Sequence, residues 1–356
     1  MRIGSMYSGI GGLDIACEWA FGGKTVWQID QVGEAVRARH WPTATQHVGD
    51  VMGLDPRRLA PIDVLCAGPS CKDISVAGSG RLFDGDTSGP TYRRMLDFID
   101  ATQPGWVVVE NVPGLLSRLR ATVDKDLAAR GYGLVWVRCR ALDVGAPHIR
   151  ARVFVICQRG AKGSRVVDAD RSGVWRGEAQ RTWPTALASD AKASGNRSLP
   201  SNRCHSGTSL TDAIRPERAP AERLWGTPTS TDVKGGYGIT APNRGLMRSQ
   251  GQTGVKTGSR LNPCWIEVFQ GFPQEWTLPS GRRLVAEREP LWPRGLYPVD
   301  WDRRIPWPGF DWEPPRTIPD GAPIKGRPAR LRALGNAVCP QQGYLGVATG
   351  LAVWNA

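Results

Sequence analysis

One cysteine stands out for its setting. In "AGPSCKDISVAG", residues 67 to 78, Cys71 sits at a Gly-Pro-containing corner directly after the apolar run "IDVLC". A buried strand that ends in such a corner presents a side chain at the edge of a parallel sheet, where ligands bind. A free cysteine can equally be a small apolar residue of a core. A second strand, "WVVVENVPGLL", delivers Glu110 and Asn111 to its carboxyl end, on the same edge. A carboxyl group at the mouth of an apolar pocket can bind or protonate a ring nitrogen. In "GAPHIRARVFVI" the alternation of Arg150 and Arg152 into a strand places both on one face. Finally, "YSGIGGLDIA" reads as a strand, a turn with Gly9, Gly11 and Gly12, and a helix starting near Leu13. Glycine lets the backbone approach a ligand, and a helix start offers free N–H groups to an anion. The GxGG spacing is not GxGxxG, which disfavours a dinucleotide.

These residues need a scaffold, and residues 1 to about 158 supply one. The runs "RIGSMYS", "TVWQID", "IDVLCAG", "WVVVEN", "GLVWVRCRAL" and "RVFVICQ" have the Val- and Ile-rich pattern of strands buried on both faces. Between several of them lie the helix-like segments "LDIACEWAF", "GEAVRARH", "TYRRMLDFIDA" and "LSRLRATVDKDLAARG". The alternation predicts an α/β fold with a mostly parallel sheet and helices on both faces.

From about Arg159 the composition changes. Gly160 to Gly258 is dense in Ser, Thr, Gly, Pro, Arg and Lys, so loops are expected. It holds two similar segments, "WPTALASDAKASG" from Trp183 and "WGTPTSTDVKGGYG" from Trp225, read as a repeat or as chance in a biased region. "LNPCWIEVFQGFPQEW" and a Trp- and Pro-rich stretch then offer aromatic anchors for a small irregular core. In "PARLRALGNAVCPQQGYLGVATGLAVWNA" the helical pattern returns, as expected of a segment packing back on the first domain.

The chain of 356 residues can bury a large core and divide into two domains. With 40% hydrophobic and 22% charged residues it has a globular composition. No apolar run approaches the roughly 20 residues of a membrane span. "MRIGSMYSGI" lacks the apolar core of a secretory signal, and an intracellular, cytoplasmic setting is expected. Eight cysteines without paired CxxC spacing argue against a disulfide framework and a zinc site, so no metal is expected. A net charge of +13 points to a polyanionic partner, since each phosphate contact releases counterions.

Taken in order, "YSGIGG", "SCKDIS", "ENV", "HIRAR" and "RALGNAV" resemble the motifs of the DNA cytosine-C5 methyltransferases, of the phage, prophage or restriction-modification type. The resemblance covers residues 1 to 158 and about 328 to 345. It implies a Rossmann-like, S-adenosylmethionine-dependent methyltransferase fold with a smaller, loop-rich target-recognition domain. The implied boundaries are 1–158 for catalysis and cofactor, 159–320 for recognition, and 321–356 for the returning segment. Cys71 would be the nucleophile that adds to C6 of a cytosine flipped from duplex DNA. Glu110 would hold the N3 and amino edge, Arg152 the O2 side, and Arg150 would support the pocket. The stretch from Lys72 to Pro90 would close over the base. For S-adenosyl-L-methionine, Tyr7 would stack on adenine and Gly9, Gly11 and Gly12 would approach the methionine portion. Asp50 would accept from the adenine amino group, Gln28 falls where the ribose-binding acid usually lies, and Asn336 would complete the pocket. The implied partner is double-stranded DNA, met by a monomer, with room for a restriction endonuclease partner. Two other readings on the same scaffold are an RNA or tRNA cytosine methyltransferase and a catalytically impaired DNA-binding homologue. The chain departs from the pattern at Ser5, Ser70, Lys72 and His148. The charge of Lys72 is expected to lower the thiol pKa of Cys71.

Overall fold

A computed structural model describes residues 1–74, 82–144, 146, 150–169, 260–278, 317–318 and 325–356. The repeat-like segments, His148, most of the stretch expected to recognise the target, and residues 75–81 of the stretch expected to close over the base lie outside the described residues.

The apolar runs become strands β1 (Arg2–Met6), β2 (Lys24–Ile29), β4 (Val64–Ala67), β5 (Trp106–Asn111), β6 (Tyr132–Arg140) and β7 (Ala151–Arg159). Two short strands join them, β3 (Thr45–His47) and β8 (Ser164–Asp168). One eight-stranded sheet results, in the order β3-β2-β1-β4-β5-β7-β6-β8. Its first five strands are parallel, and β7 runs antiparallel between β5 and β6. β8 pairs in parallel with β6, so the sheet continues past residue 158, where the sequence pattern ended it. The central strands β4, β5 and β6 are mostly buried because both faces are covered.

Helices α1 (Gly12–Phe21), α2 (Glu34–His40), α3 (Ser88–Thr102) and α4 (Gly114–Ala128) fall where their amphipathic patterns put them. Leu119, Val123 and Leu127 of α4, with Met95 and Phe98 of α3, pack against Leu65, Val107, Val109 and Trp136 on one face of the sheet. On the other, Leu13 and Cys17 of α1 meet Val64, Cys66, Val108, Phe154 and Ile156, together with Leu345 and Val347 of a late helix.

The described part of the C-terminal half closes this body. It contains α5 (Pro263–Phe269), α6 (Arg327–Asn336), α7 (Pro340–Asn355) and the pair β9 (Arg260–Leu261) with β10 (Thr317–Ile318). α7 lies so close to the sheet that a Cβ on Gly346 would stand 2.3 Å from the Phe154 ring, and one on Gly350 2.6 Å from Ile156. The aromatic anchors among the described residues do not form a core of their own. Trp265, Phe269, Phe272 and Trp276 share a cluster with Ile10, Ile15 and Trp41 of the first domain and Leu331 of α6. Trp276 also donates from Nε1 to the Ile10 carbonyl at 2.9 Å, anchoring the glycine turn. Glu267, fully buried, pairs with Arg330 at 2.8 Å and accepts from the Glu275 and Thr277 amides. That buried pair ties α5 to α6. Among the described residues no helix is long and apolar enough to cross a membrane, and no His, Cys, Asp and Glu cluster could hold a metal ion.

Candidate active site

Parallel strands β1 and β4 lie side by side while their chain neighbours run outward in opposite directions, which opens a crevice at their carboxyl ends. The segment after β1 is the glycine turn, and the segment after β4 carries Cys71. The two lie on one rim.

Cys71 is half-buried in its turn, whose carbonyl accepts from Ile74 N at 3.0 Å. The turn is held from β5. Asn111, buried at the strand end, donates from Nδ2 to the Pro69 carbonyl at 3.0 Å. The sequence delivers Asn111 to this edge but shows no task for it; the structure gives it the cysteine loop. Glu110 Oε1 pairs with Arg152 Nε at 2.9 Å, both largely shielded from solvent. Burial pushes the Cys71 thiol up, opposed by the positive charge of Arg152 and reinforced by Glu110. Arg152 and Arg150 are the cations acting on the thiol, and Lys72, expected in that role, is exposed.

Arg150 does not share a strand face with Arg152. It precedes β7 with a φ of 27°, in the left-handed region. Its guanidinium turns to the C-terminal segment, donating to the Ala337 carbonyl at 2.6 Å and approaching that of Gly335 at 3.4 Å. In return Gln342 of α7 donates from Nε2 to the Arg150 carbonyl at 2.7 Å and to that of Cys139 at 2.9 Å. Burial lowers the Arg150 pKa to about 9, still cationic at neutral pH. Arg150 therefore braces the segment that carries Asn336, which is exposed at the end of α6.

The three glycines of the turn divide. Gly9, with a φ of 55°, has nothing within 4 Å of an added Cβ, the open cradle a ligand needs. A Cβ on Gly11 would stand 2.1 Å from the Trp41 ring, and one on Gly12 2.1 Å from the Val338 carbonyl. Those two serve packing. α1 starts at this turn without a side-chain cap, leaving its first amides to an anionic ligand. Tyr7 is half-buried beside the turn and donates to the Thr91 carbonyl at 2.8 Å. Asp50 is exposed and caps the turn at Val51–Gly53 through the Met52 amide at 3.1 Å. Exposed Val48 and Met52 are close to Asp50 in the chain.

Gln28 is the correction. It is fully buried, donating to Asp14 Oδ1 at 2.6 Å and accepting from Gln46 Nε2 at 2.7 Å, so neither end of its amide reaches the rim. The carboxylate at the end of β2 is Asp30, one residue past the strand, whose Oδ2 accepts from Gly9 N at 2.8 Å. The signal was an acid directly after the last apolar residue of "VWQID". Burial raises Asp14 to about 6 from an ordinary value near 4, partly offset by its bond from Gln28. A raised folded-state pKa means stability that is present below the unfolded value and lost as pH climbs through about 6. Asp14→Asn should therefore match the parent near pH 4 and exceed it at pH 8 by up to about 3 kcal/mol, read from urea unfolding at both pH values.

A family model described as C-5 cytosine-specific DNA methylase matches residues 1–288. That match covers most of the chain, and the chain belongs to the C-5 cytosine-specific DNA methylase family. Over 163 residues it is 31% identical to the type II methyltransferase M.HgiCII of Herpetosiphon aurantiacus, a match covering 44% of this chain and 36% of the relative. Over 155 residues it is 28% identical to the type II methyltransferase M.NgoBI of Neisseria gonorrhoeae, covering 42% and 48%. The matches thus span less than half the length of these curated relatives. Among solved structures, the Dnmt2 methyltransferase of S. pombe shares the fold, with a TM-score of 0.55, 14% identity and coverage of 99% and 97%.

Proposed function

We propose that the chain methylates C5 of cytosine in duplex DNA, using S-adenosyl-L-methionine. The observation that carries this reading is the placement of Cys71, on a turn pinned by Asn111, at the same strand ends as the Glu110–Arg152 pair. The cofactor would sit beside them: Gly9 leaves an open cradle, the first amides of α1 suit a carboxylate, and Asp30, which accepts from Gly9 N, would also accept from ribose hydroxyls. Tyr7, Asp50 and Asn336 would line the same pocket. When bound, S-adenosyl-L-methionine supplies a sulfonium methyl group to a carbon made nucleophilic beside it.

The chain's own residues do the rest. Cytosine C5 is a poor nucleophile, and addition of the Cys71 thiolate to C6 moves an electron pair onto C5. Glu110 holds the N3 and amino edge as charge enters the ring, while Arg152 serves the O2 side and orients Glu110. Loss of the C5 proton to a base and expulsion of Cys71 as thiolate restore the aromatic ring. C6 is inaccessible in stacked DNA, so the cytosine must leave the duplex. Residues 159–320 lie between the motifs and are proposed to choose the sequence.

Transfer of labelled methyl groups into duplex DNA tests the reading. Incorporation into cytosine of duplex supports it. Transfer to tRNA alone, or binding without transfer, overturns it. Affinity for duplex should fall at least about tenfold between 50 and 200 mM salt, as expected when several phosphates are neutralised. A salt-independent affinity would contradict binding of the DNA backbone.

A further inference from the structure

Arg37 of α2 is wholly buried, yet its donors go to neutral oxygens. Nη1 donates to the carbonyls of Gly9, at 2.8 Å, and Val32. Nη2 reaches the Asp30 carbonyl at 3.3 Å, and Nε donates to Gln46 Oε1 at 3.0 Å. The chain then continues through amides, from Gln46 Nε2 to Gln28 Oε1 at 2.7 Å and from Gln28 Nε2 to Asp14 Oδ1 at 2.6 Å. Both amides turn their oxygen toward the cation and their nitrogen toward the anion. A buried cation and a buried anion are thus joined by two aligned dipoles rather than by contact.

Burying a guanidinium is costly unless its hydrogen bonds compensate for lost water. Here three of those bonds converge on the two loops that flank the pocket, after β1 and after β2. The loops press together there: a Cβ on Gly33 would stand 2.2 Å from the Gly9 carbonyl, and Gly9 N donates to Asp30 across the same gap. With Arg37 in place, the Gly9 cradle and the Asp30 carboxylate share one rigid support. Without it, three carbonyls would lose their donor at the moment the loops have to hold a ligand.

We infer that Arg37, oriented through the Gln46–Gln28–Asp14 chain, is a positioning residue that sets the distance between the Gly9 turn and Asp30. The identity of the ligand as S-adenosyl-L-methionine rests on the function proposed above; the support of the two loops does not.

The test compares the full chain with Arg37→Met, Arg37→Lys and Gln46→Leu. Amide hydrogen exchange of the ligand-free proteins is read on peptides spanning residues 7–13 and 29–34, with β5 and β7 as internal controls. Arg37→Met should speed exchange at the two loops by about tenfold or more while the controls stay unchanged. The KM for S-adenosyl-L-methionine should rise by about tenfold, with kcat at saturation within about twofold. Arg37→Lys should fall between parent and Met variant, since ammonium cannot reproduce the fork. Should Arg37→Met fail to fold, Gln46→Leu, at a half-exposed position, is expected to move both readouts in the same direction. Exchange that rises equally in β5 and β7, or an unchanged KM alongside faster loops, overturns the positioning role. A parent protein with no affinity for S-adenosyl-L-methionine overturns the proposed function instead, and the exchange comparison still decides the role of Arg37.

Discussion

Replacing Cys71 by alanine should abolish methyl transfer, by at least about a thousandfold, while cofactor and duplex affinities stay near those of the parent. The thiol is the only group at the sheet edge, among the described residues, that can add to an aromatic carbon and leave again. Its neighbours Glu110 and Arg152 pair with each other, so removing the sulfur leaves their geometry standing. Duplex containing 5-fluorocytosine should trap the parent as a covalent adduct, because fluorine cannot depart as a proton does, and should not trap the alanine variant. Because burial holds the Cys71 pKa up, the thiolate fraction of the free protein grows as pH rises, and the trapping rate should climb with it. Full transfer by Cys71→Ala, or turnover without trapping in the parent, would sink the covalent assignment.

Gln28→Glu has the second large expected effect, and it falls on stability. A carboxylate at this position looks like a gain for ribose binding when only the sequence is considered. In the folded protein the new carboxyl would stand where the amide nitrogen of Gln28 now donates to Asp14 at 2.6 Å, in a site without solvent. Two carboxyl groups at that distance cannot both ionise, so one keeps its proton or the chain opens. The folded-state pKa of the introduced carboxyl would therefore lie above its unfolded value. The variant should approach the parent below about pH 4 and lose stability progressively as pH rises through neutrality, by about 3–5 kcal/mol at pH 8. Urea unfolding across that range checks it. Equal stability at pH 8, or tighter cofactor binding without loss of stability, would place the Gln28 side chain at the rim after all.

The contrast between these two residues shows where local pattern is enough. Cys71 and Glu110 were legible because each follows a continuous apolar run, and a strand buried on both faces has to end at the sheet edge. The same logic located α1 to α4, whose apolar stripes recur with helical spacing. "WVVVEN" maps onto β5 residue for residue. The order of five motifs carried the family, and the match to residues 1–288 agrees with it.

What the sequence by itself determined was therefore six strands of the sheet and helices α1 to α4, the placement of Cys71 and Glu110 at the sheet edge, and the family. The tertiary structure alone decided which side chains look inward. Gln28 lies inside because Asp14 and Gln46 meet it there, and Asp30 takes the rim because β2 stops at Ile29. Gly11 and Gly12 are small to admit Trp41 and Val338, partners from elsewhere in the chain. Arg150 turns to carbonyls 185 and 187 residues away, which no local spacing encodes. β7 runs antiparallel for the same reason. Periodicity reports whether a residue faces an apolar layer; it carries no information on which distant residue completes that layer, and hydrogen-bond partners and strand direction are settled only when the layers close.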